Sequence, residues 1–263
     1  MKPETVFLGE MTSPEVEAFL QTRHTVIVPV GAVEQHGPHL ALLTDVLIPQ
    51  EVARRAAPTL GALVAPPINY ALSYPHTGFT GLVQIRIPTF MALIEDVAIS
   101  LATAGFKRIV FLNGHYDNTY AIAYACANAA DKLPRGTQAF PINYWDGMSA
   151  EEAGEYTSLA KGMHAHAAET AAILAINPNL VDMSKANVEF PPFPEFTVNS
   201  GPVHTAFFFT SPGSVFNATR SGTWGDATTA TPEMGERFLA LGVKSTLAVL
   251  ENIEKTFAAM PPR

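Results

Sequence analysis

Short apolar runs alternate with helical segments along almost the whole chain of 263 residues. Strands are predicted at residues 25–30, 62–65, 108–112 and 138–142. Helices are predicted at residues 49–57, 88–103, 118–132, 165–176 and 233–255. Such alternation is typical of an α/β fold with a mostly parallel sheet. No internal repeat or linker divides the chain, so we expect one domain over residues 1–263. Residues 190–222, rich in Pro, Gly, Phe and Thr, are expected to form a long irregular segment.

The chain is acidic and poor in charge. It has 16 Lys and Arg against 24 Asp and Glu, a formal net charge of −8, and only 15% charged residues, compared with about 25% in average proteins. This balance, without a basic cluster, argues against binding to nucleic acid or to an anionic membrane surface. There is no apolar stretch of about 18 residues, the length of a membrane span, and no signal-peptide pattern. We therefore expect a cytoplasmic protein whose charge-poor surface is partly covered in a homo-oligomer.

In parallel sheets, functional side chains collect where the strands end. The first predicted strand is followed by a glycine-bounded segment that contains Glu34 and His36, with Asp45 shortly after. Residues two apart in an extended chain face the same side, so Glu34 and His36 are placed to share a divalent metal ion. Asp45 could fold back and bridge two ions. The alternative is a polar strand end in which Asp45 only caps the next helix.

Two further segments carry histidine beside a carboxylate. His115 and Asp117 directly follow the third predicted strand, although Asp117 is also placed to cap the next helix. His166 and Glu169 share a face at i, i+3 if their segment is helical. His164 and Glu169 share no face unless His164 precedes the helix, so spacing alone favours His166 as the partner of Glu169. The alternative for this third segment is a solvated helix start.

These segments together supply nitrogen and oxygen ligands for two metal ions. Cys126 is the single cysteine, so no site built from several thiolates is possible. An N/O donor set suits Zn²⁺ or Mn²⁺, and two adjacent ions activate water for hydrolysis. Neither a glycine-rich phosphate loop nor a GxSxG motif is present, which disfavours a nucleotide enzyme and a serine hydrolase of that type.

Four segments resemble the creatininase (creatinine amidohydrolase) family in order and spacing. They are residues 29–45, 113–115, 164–170 and 222–235. The resemblance implies a single α/β domain with the creatininase-type three-layer sandwich and a mostly parallel sheet. It also implies two Zn²⁺ and/or Mn²⁺ ions per chain, hydrolysis of a non-peptide C–N bond in a small-molecule substrate, and a homohexamer.

The resemblance also assigns roles to individual residues. Asp45 matches the bridging ligand, and Asp117 stands where creatininase has a liganding glutamate that is one methylene longer. The metal ligands implied are Glu34, His36, Asp45, His115, Asp117 and Glu169. The catalytic residues implied are His164, as the proton-transfer histidine, and Glu169. Residues expected on the substrate side are Tyr116, Trp145, His76 and His166.

We therefore predict a metal-dependent amidohydrolase that acts on a small cyclic amide or amidine. Creatininase has a tryptophan and an acidic residue where this chain has Ala160 and Lys161. If those positions face the substrate, a cationic ring loses a stacking face and a charge partner, so creatinine is not the favoured substrate. The alternatives are a family deformylase or peptide-trimming hydrolase, creatininase proper, and a non-catalytic small-molecule-binding protein on the same fold.

Overall fold

Four parallel strands form the central sheet of the protein. The structure, a computed structural model, describes residues 5–193 and 201–259. The strands are β1 (Thr25–Val30), β2 (Ala62–Val64), β3 (Arg108–Asn113) and β4 (Gln138–Asn143). They are ordered β2-β1-β3-β4, and every neighbouring pair is parallel. The expected parallel sheet is confirmed, and its carboxyl edge lies at the ends of β1 and β3, where the predicted metal ligands begin.

Nine helices and a small second sheet complete the described part of the chain. The helices are α1 (Ser13–Leu20), α2 (Thr44–Leu60), α3 (Ile87–Thr103), α4 (Thr119–Ala130), α5 (Ala150–Ala160), α6 (Ala167–Ile176), α7 (Gly201–Phe209), α8 (Ser214–Ala218) and α9 (Pro232–Ala258). The second sheet is antiparallel, with the order β5-β7-β6, and consists of β5 (Gly162–His164), β6 (Val188–Glu189) and β7 (Trp224–Asp226). No helix within residues 5–193 and 201–259 combines the length and apolar character needed to cross a bilayer.

The parallel sheet is packed with helices on both faces. Successive side chains of a strand point to opposite faces, so Ile27 and Val110 lie in one apolar cluster while Val28 and Phe111 lie in the other. The first cluster is completed by α2, α5, α6 and α9, and the second by α1, α3 and α4. The resulting helix–sheet–helix arrangement confirms the predicted three-layer α/β architecture.

Helix α2 begins at residue 44, not at residue 49 as predicted, and it continues through Pro58. Proline lacks the N–H that would bond to the carbonyl four residues earlier, so Pro49 leaves the Asp45 carbonyl without its usual helical partner. This part of α2 packs closely on the end of β3, because a Cβ at Gly114 would lie 2.5 Å from Pro49 Cγ. The earlier start places Asp45 in the first turn of the helix, beside the sheet edge.

Other predicted boundaries also need correction. Helix α6 begins at residue 167 and not 165, because Ala165 has a positive φ of 49° and His166 is the N-cap. Helices α1 and α5 were not predicted. The segment expected to be irregular, residues 190–222, contains α7 and α8, while its residues 194–200 lie outside the described part.

Candidate metal centre

Side chains from four parts of the fold meet at the carboxyl edge of the parallel sheet. Glu34 and His36 follow β1, and His115 follows β3. Asp45 lies in the first turn of α2, and Glu169 lies in the first turn of α6. The turn after β3 is held by the Asn113 side chain, whose Oδ1 accepts a hydrogen bond from the His115 N–H at 3.1 Å. Five of the six proposed ligands are thus brought together.

Asp45 lies between two groups of potential ligands. Its Oδ1 is 3.1 Å from His36 Nε2, and its Oδ2 is 2.9 Å from His115 Nδ1. One group consists of Glu34, Asp45 and His115, the other of His36, Asp45 and Glu169. In each group one ligand atom per residue lies within 4.8 Å of the other two. A third group links Glu34 and His36 with His164. The first two groups share only Asp45, which is the arrangement that a bridging carboxylate requires.

Several polar atoms here are buried without a hydrogen-bond partner. Within the described residues they include His115 Nε2, Asp117 Oδ2 and Glu169 Oε2. Leaving such an atom unpaired costs about 1–3 kcal/mol, and more when it is charged. Oxygen and imidazole donors that converge in this way fit Zn²⁺ or Mn²⁺. The residues present therefore fit a divalent metal site.

The ionisable groups of the centre shift one another's pKa values strongly. Burial opposes the charged form of His36, but the adjacent Asp45 carboxylate outweighs it and raises the pKa of His36 to about 9. Burial would raise the pKa of Asp45, yet His36 and His115 bring it below its ordinary value. Glu34 is dominated by burial, which raises its pKa to about 8. The Asp45 carboxylate thus favours the protonated forms of His36 and His115, and metal binding, which needs neutral imidazoles, competes with those protons.

Asp117 lies next to the centre but belongs to neither group built on Asp45. It is buried, and its Oδ2 is 3.8 Å from His115 Nε2. Burial raises the pKa of this carboxyl, partly offset by His115. Glu169, in contrast, groups directly with His36 and Asp45.

The two histidines of the third segment have different surroundings. His164 stands on β5, with Nδ1 3.6 Å from Glu34 Oε1 and its ring centroid 4.4 Å from that of His36. His166 is the N-cap of α6, where its Nδ1 accepts a hydrogen bond from the Glu169 N–H at 3.3 Å. Its Nε2 is also 4.0 Å from Glu169 Oε2. Spacing thus identified a real pair, while the resemblance identified the histidine that lies over Glu34.

A cavity of about 370 Å³ opens above the ligands. All four residues expected on the substrate side line it, namely Tyr116, Trp145, His76 and His166. Sequence reasoning assigned no site role to other lining residues, among them Tyr144, Tyr156, His204, Phe208 and Trp224. His204 and Phe208 belong to α7, a helix that was not predicted. Trp224 lay in a segment that the resemblance had marked, without a role.

Neither Ala160 nor Lys161 is among the residues that line this cavity. Ala160 is packed in the apolar cluster that contains α2, α6 and α9. Lys161 ends α5 with a φ of 51°, and its ammonium donates a hydrogen bond to Thr229 Oγ1 at 3.2 Å. The substrate argument based on these two positions is therefore wrong, because the side chains that form the aromatic wall come from elsewhere, including Tyr156.

Comparison with known proteins gives matches over nearly the whole chain. Residues 9–250 match the Creatininase family model, described as creatinine amidohydrolase. Creatinine amidohydrolase of Pseudomonas putida is 33% identical over 92% of this chain and 94% of its own length. The mycofactocin precursor peptide peptidase of Mycolicibacterium smegmatis is 32% identical over 89% of this chain and 85% of its own length.

Solved structures agree with these sequence matches. A mutant creatininase of the Zn-Zn type has a TM-score of 0.77 at 29% identity and covers 99% of this chain and 100% of its own. A Mn form of creatininase also has a TM-score of 0.77, at 30% identity, covering 98% of this chain and 100% of its own. The fold is therefore shared over nearly the whole length of this chain.

Proposed function

The chain belongs to the creatininase family, and from this membership we propose that it is a metal-dependent amidohydrolase. Its reaction is the hydrolysis of a C–N bond in a small, cyclic amide or amidine. The observation that carries the proposal is the position of Asp45, whose two carboxylate oxygens face His36 on one side and His115 on the other. Relatives that hydrolyse creatinine or trim a peptide support hydrolysis as the general reaction.

The proposed cofactor is a pair of divalent cations, Zn²⁺ and/or Mn²⁺. Glu34 and His115 would hold one cation, His36 and Glu169 would hold the other, and Asp45, which belongs to both groups, would be the shared ligand. Asp117 supports the His115 side from 3.8 Å. Zn-Zn and Mn forms of creatininase structures support this choice of metals. When bound, such a pair activates a water molecule and polarises the substrate carbonyl.

The chain's own residues supply proton transfer and positioning. His164 is proposed to carry the proton to the leaving nitrogen, because its Nδ1 faces Glu34 Oε1 at the rim of the metal groups. Such general acid–base steps contribute about 10²- to 10⁴-fold in rate. Glu169, whose side chain is 14% exposed, lines the same cavity. It is proposed as a second catalytic residue beside its role as a ligand. Tyr116 and Trp145 are proposed to hold the substrate between aromatic walls.

The cavity supports a small and uncharged ring as substrate. Its volume of about 370 Å³ is at the lower end of the usual range for small-molecule sites, about 300–1,000 Å³. Aromatic side chains form much of its wall, and none of the described lining residues is Lys or Arg. Two dications would offset the four carboxylates of Glu34, Asp45, Asp117 and Glu169. A neutral amide would therefore enter without an uncompensated charge.

Peptide trimming is the second candidate. It is supported by the 32% identity to the mycofactocin precursor peptide peptidase, which is close to the 33% identity to creatinine amidohydrolase. Creatinine itself is also kept as a candidate substrate, since the argument against it rested on Ala160 and Lys161. A family deformylase and a non-catalytic binding protein are less favoured, the latter because a group of candidate ligands forms on each side of Asp45.

Assembly as a homohexamer in the cytoplasm is part of the same proposal. The surface is poor in charge, and α4 exposes two aromatic side chains, Tyr120 and Tyr124, at 55% and 66%. Apolar side chains on one exposed helix face are typical of subunit contacts. Light scattering on the purified protein measures the mass, and a monomer would contradict the homohexamer.

A reconstitution screen tests the proposed reaction. The chain is freed of metal with a chelator, reloaded with Zn²⁺ or Mn²⁺, and assayed against creatinine, hydantoins, cyclic ureas, lactams, formamides and short peptides. We expect about two metal equivalents per chain and metal-dependent hydrolysis of a cyclic amide. Turnover of peptides alone would favour the second candidate. A protein that binds no metal would contradict both.

A further inference from the structure

Gln35 stands between two proposed ligands in the sequence, Glu34 and His36, but its side-chain amide forms hydrogen bonds with neither of them. It is buried at 5% exposure. Its Oε1 accepts a hydrogen bond from the Gly37 N–H at 2.9 Å, and its Nε2 donates to the Gly222 carbonyl at 3.2 Å. A backbone N–H can only donate and a carbonyl can only accept. These two bonds therefore fix which end of the amide is oxygen and which is nitrogen.

The fixed amide determines where His76 carries its proton. Gln35 Nε2 lies 2.8 Å from His76 Nδ1, and an amide nitrogen can only donate. His76 Nδ1 must therefore accept, which leaves the proton of the neutral ring on Nε2. That nitrogen lies 3.2 Å from Glu34 Oε1, while Ser73 Oγ donates to Glu34 Oε2 at 2.5 Å. Both oxygens of the Glu34 carboxylate are thus oriented by a donor.

The backbone of Gln35 performs the same task for His164. His164 Nε2 is 2.8 Å from the Gln35 carbonyl oxygen, so this nitrogen must carry a hydrogen. The Gln35 Nε2 atom is 3.0 Å from the same nitrogen, but its two hydrogens are taken by His76 and Gly222. The unprotonated nitrogen of neutral His164 is therefore Nδ1, the atom that faces Glu34 Oε1.

The packing around Gln35 leaves it little freedom. A Cβ at Gly222 would lie 1.9 Å from Gln35 Oε1, so only glycine leaves room for the amide there. Gly222 also has a φ of 87°, which other residues rarely adopt. The rings of His76 and His164 pack against each other with centroids 4.4 Å apart. One residue thus holds both imidazoles in a single arrangement.

We propose that Gln35 is a positioning residue that sets the tautomers of His76 and His164. Through its side chain, His76 donates to Glu34, and through its backbone, His164 presents Nδ1 as the atom that takes and returns a proton. The role of His164 in turnover rests on the proposed function. The tautomers themselves do not, since they follow from the hydrogen bonds alone. Such outer contacts typically change activity or metal affinity by about 10- to 100-fold when removed.

Gln35→Glu separates positioning from a merely structural role. At alkaline pH the new carboxylate is ionised and cannot donate. One carboxylate oxygen can still accept a hydrogen bond from the Gly37 N–H. The other oxygen can form a hydrogen bond with His76 only if His76 Nδ1 carries a proton. The backbone carbonyl is unchanged, so His164 keeps its proton on Nε2. The substitution thus predicts a changed His76 beside an unchanged His164, which general disorder would not produce.

The test is ¹⁵N NMR of histidine side chains in the Zn²⁺-loaded protein at alkaline pH. His76→Asn and His164→Asn variants identify the two sets of signals. Gln84→Glu is the matched control, since Gln84 donates to Thr77 Oγ1 outside the centre. We expect Nδ1 of both histidines to be unprotonated in the wild type. We further expect Gln35→Glu alone to protonate Nδ1 of His76. A wild-type His76 already protonated at Nδ1, or one that Gln35→Glu leaves unchanged, would overturn the proposal.

Kinetics on the same samples supply the second readout. For any amide of the screen that the wild type hydrolyses, Gln35→Glu should lower kcat by about 10- to 100-fold. Metal content and KM should change little, and Gln84→Glu should keep the wild-type rate. An unchanged kcat with an altered His76 would overturn the part of the inference that concerns turnover. A wild type that takes up Zn²⁺ but hydrolyses none of the amides or peptides would instead refute the proposed function, while the NMR result still decides the tautomers.

Discussion

The Nδ1 atom of His115 lies 2.9 Å from Oδ2 of Asp45, which joins the end of β3 to the first turn of α2. This contact requires the backbone at Gly114 to lie close to the backbone of α2. A Cβ at Gly114 would lie only 2.6 Å from the Asp45 carbonyl oxygen, so a side chain does not fit there. The carboxyl edge of the sheet thus receives a proposed ligand from a helix that begins beside it. Asp45 consequently reaches both His115 and His36.

Gly114→Ala should weaken the metal centre and the fold together. The added methyl would meet Pro49 Cγ at 2.5 Å, and such overpacking costs about 1–3 kcal/mol. Urea unfolding and metal analysis should both show losses. Gly154→Ala is the control, since nothing lies within 4 Å of a Cβ at Gly154, and alanine favours the helix there. Equal stability of the two variants would contradict this account of the α2–β3 contact.

His164→Ala and His166→Ala should give different defects. Removing His164 takes away the proposed proton carrier, so kcat should fall by about 10²- to 10⁴-fold with metal content retained. Removing His166 takes away the acceptor for the Glu169 N–H, and the loss of a cap costs about 1 kcal/mol of stability. Steady-state kinetics and thermal unfolding separate the two effects. A large loss of kcat in His166→Ala but not in His164→Ala would mean that helix spacing, and not the resemblance, identified the proton carrier.

Ala160→Trp, which restores the residue type of creatininase, should destabilise the protein without improving creatinine turnover. Ala160 is 3% exposed in an apolar cluster, so a large ring there should cost about 1–3 kcal/mol or more. Lys161→Glu, at an exposed residue, should change the free energy of unfolding by less than about 0.5 kcal/mol. A rise in kcat/KM for creatinine without loss of stability would show that this position does face the substrate.

Most of the parallel sheet could be predicted, because its strands are short, largely apolar runs that stop at glycine, proline or asparagine. The ends of the helices were harder to predict where tertiary packing outweighed the local sequence signals. The predicted helix began at Pro49 and ended just before Pro58, yet both prolines lie inside α2. A usable signal for α5 was overlooked, since Ser149 and Glu152 form a capping box at its start.

The proposed ligand residues could be selected from the sequence because each stands beside a strand end or in a first helical turn. The cavity wall could not, since it combines side chains from elements far apart in sequence. His204 reaches Tyr116 Oη at 2.7 Å only because α7 folds over the centre. Likewise, Trp224 is placed opposite His164 by the pairing of β7 with β5. No local pattern encodes such pairings.

Removal of metal should lower the melting temperature. The centre holds four carboxylates in close quarters, and a cation that binds only the folded state adds about 2.7 kcal/mol at 100 times its Kd. Thermal unfolding with EDTA, followed by re-addition of Zn²⁺, measures this effect. A melting temperature that is the same with and without chelator would contradict a cation bound by these residues.

The metal content of Asp45→Asn tests the central claim most directly. Asp45 alone belongs to both the Glu34–His115 group and the His36–Glu169 group, so its loss should weaken both cations at once. Asp117→Asn is the comparison, because Asp117 approaches only the His115 side. After Zn²⁺ loading and removal of free metal, we expect about two equivalents in the wild type, a partial loss in Asp117→Asn and the largest loss in Asp45→Asn. Wild-type metal content in Asp45→Asn would contradict the bridged centre.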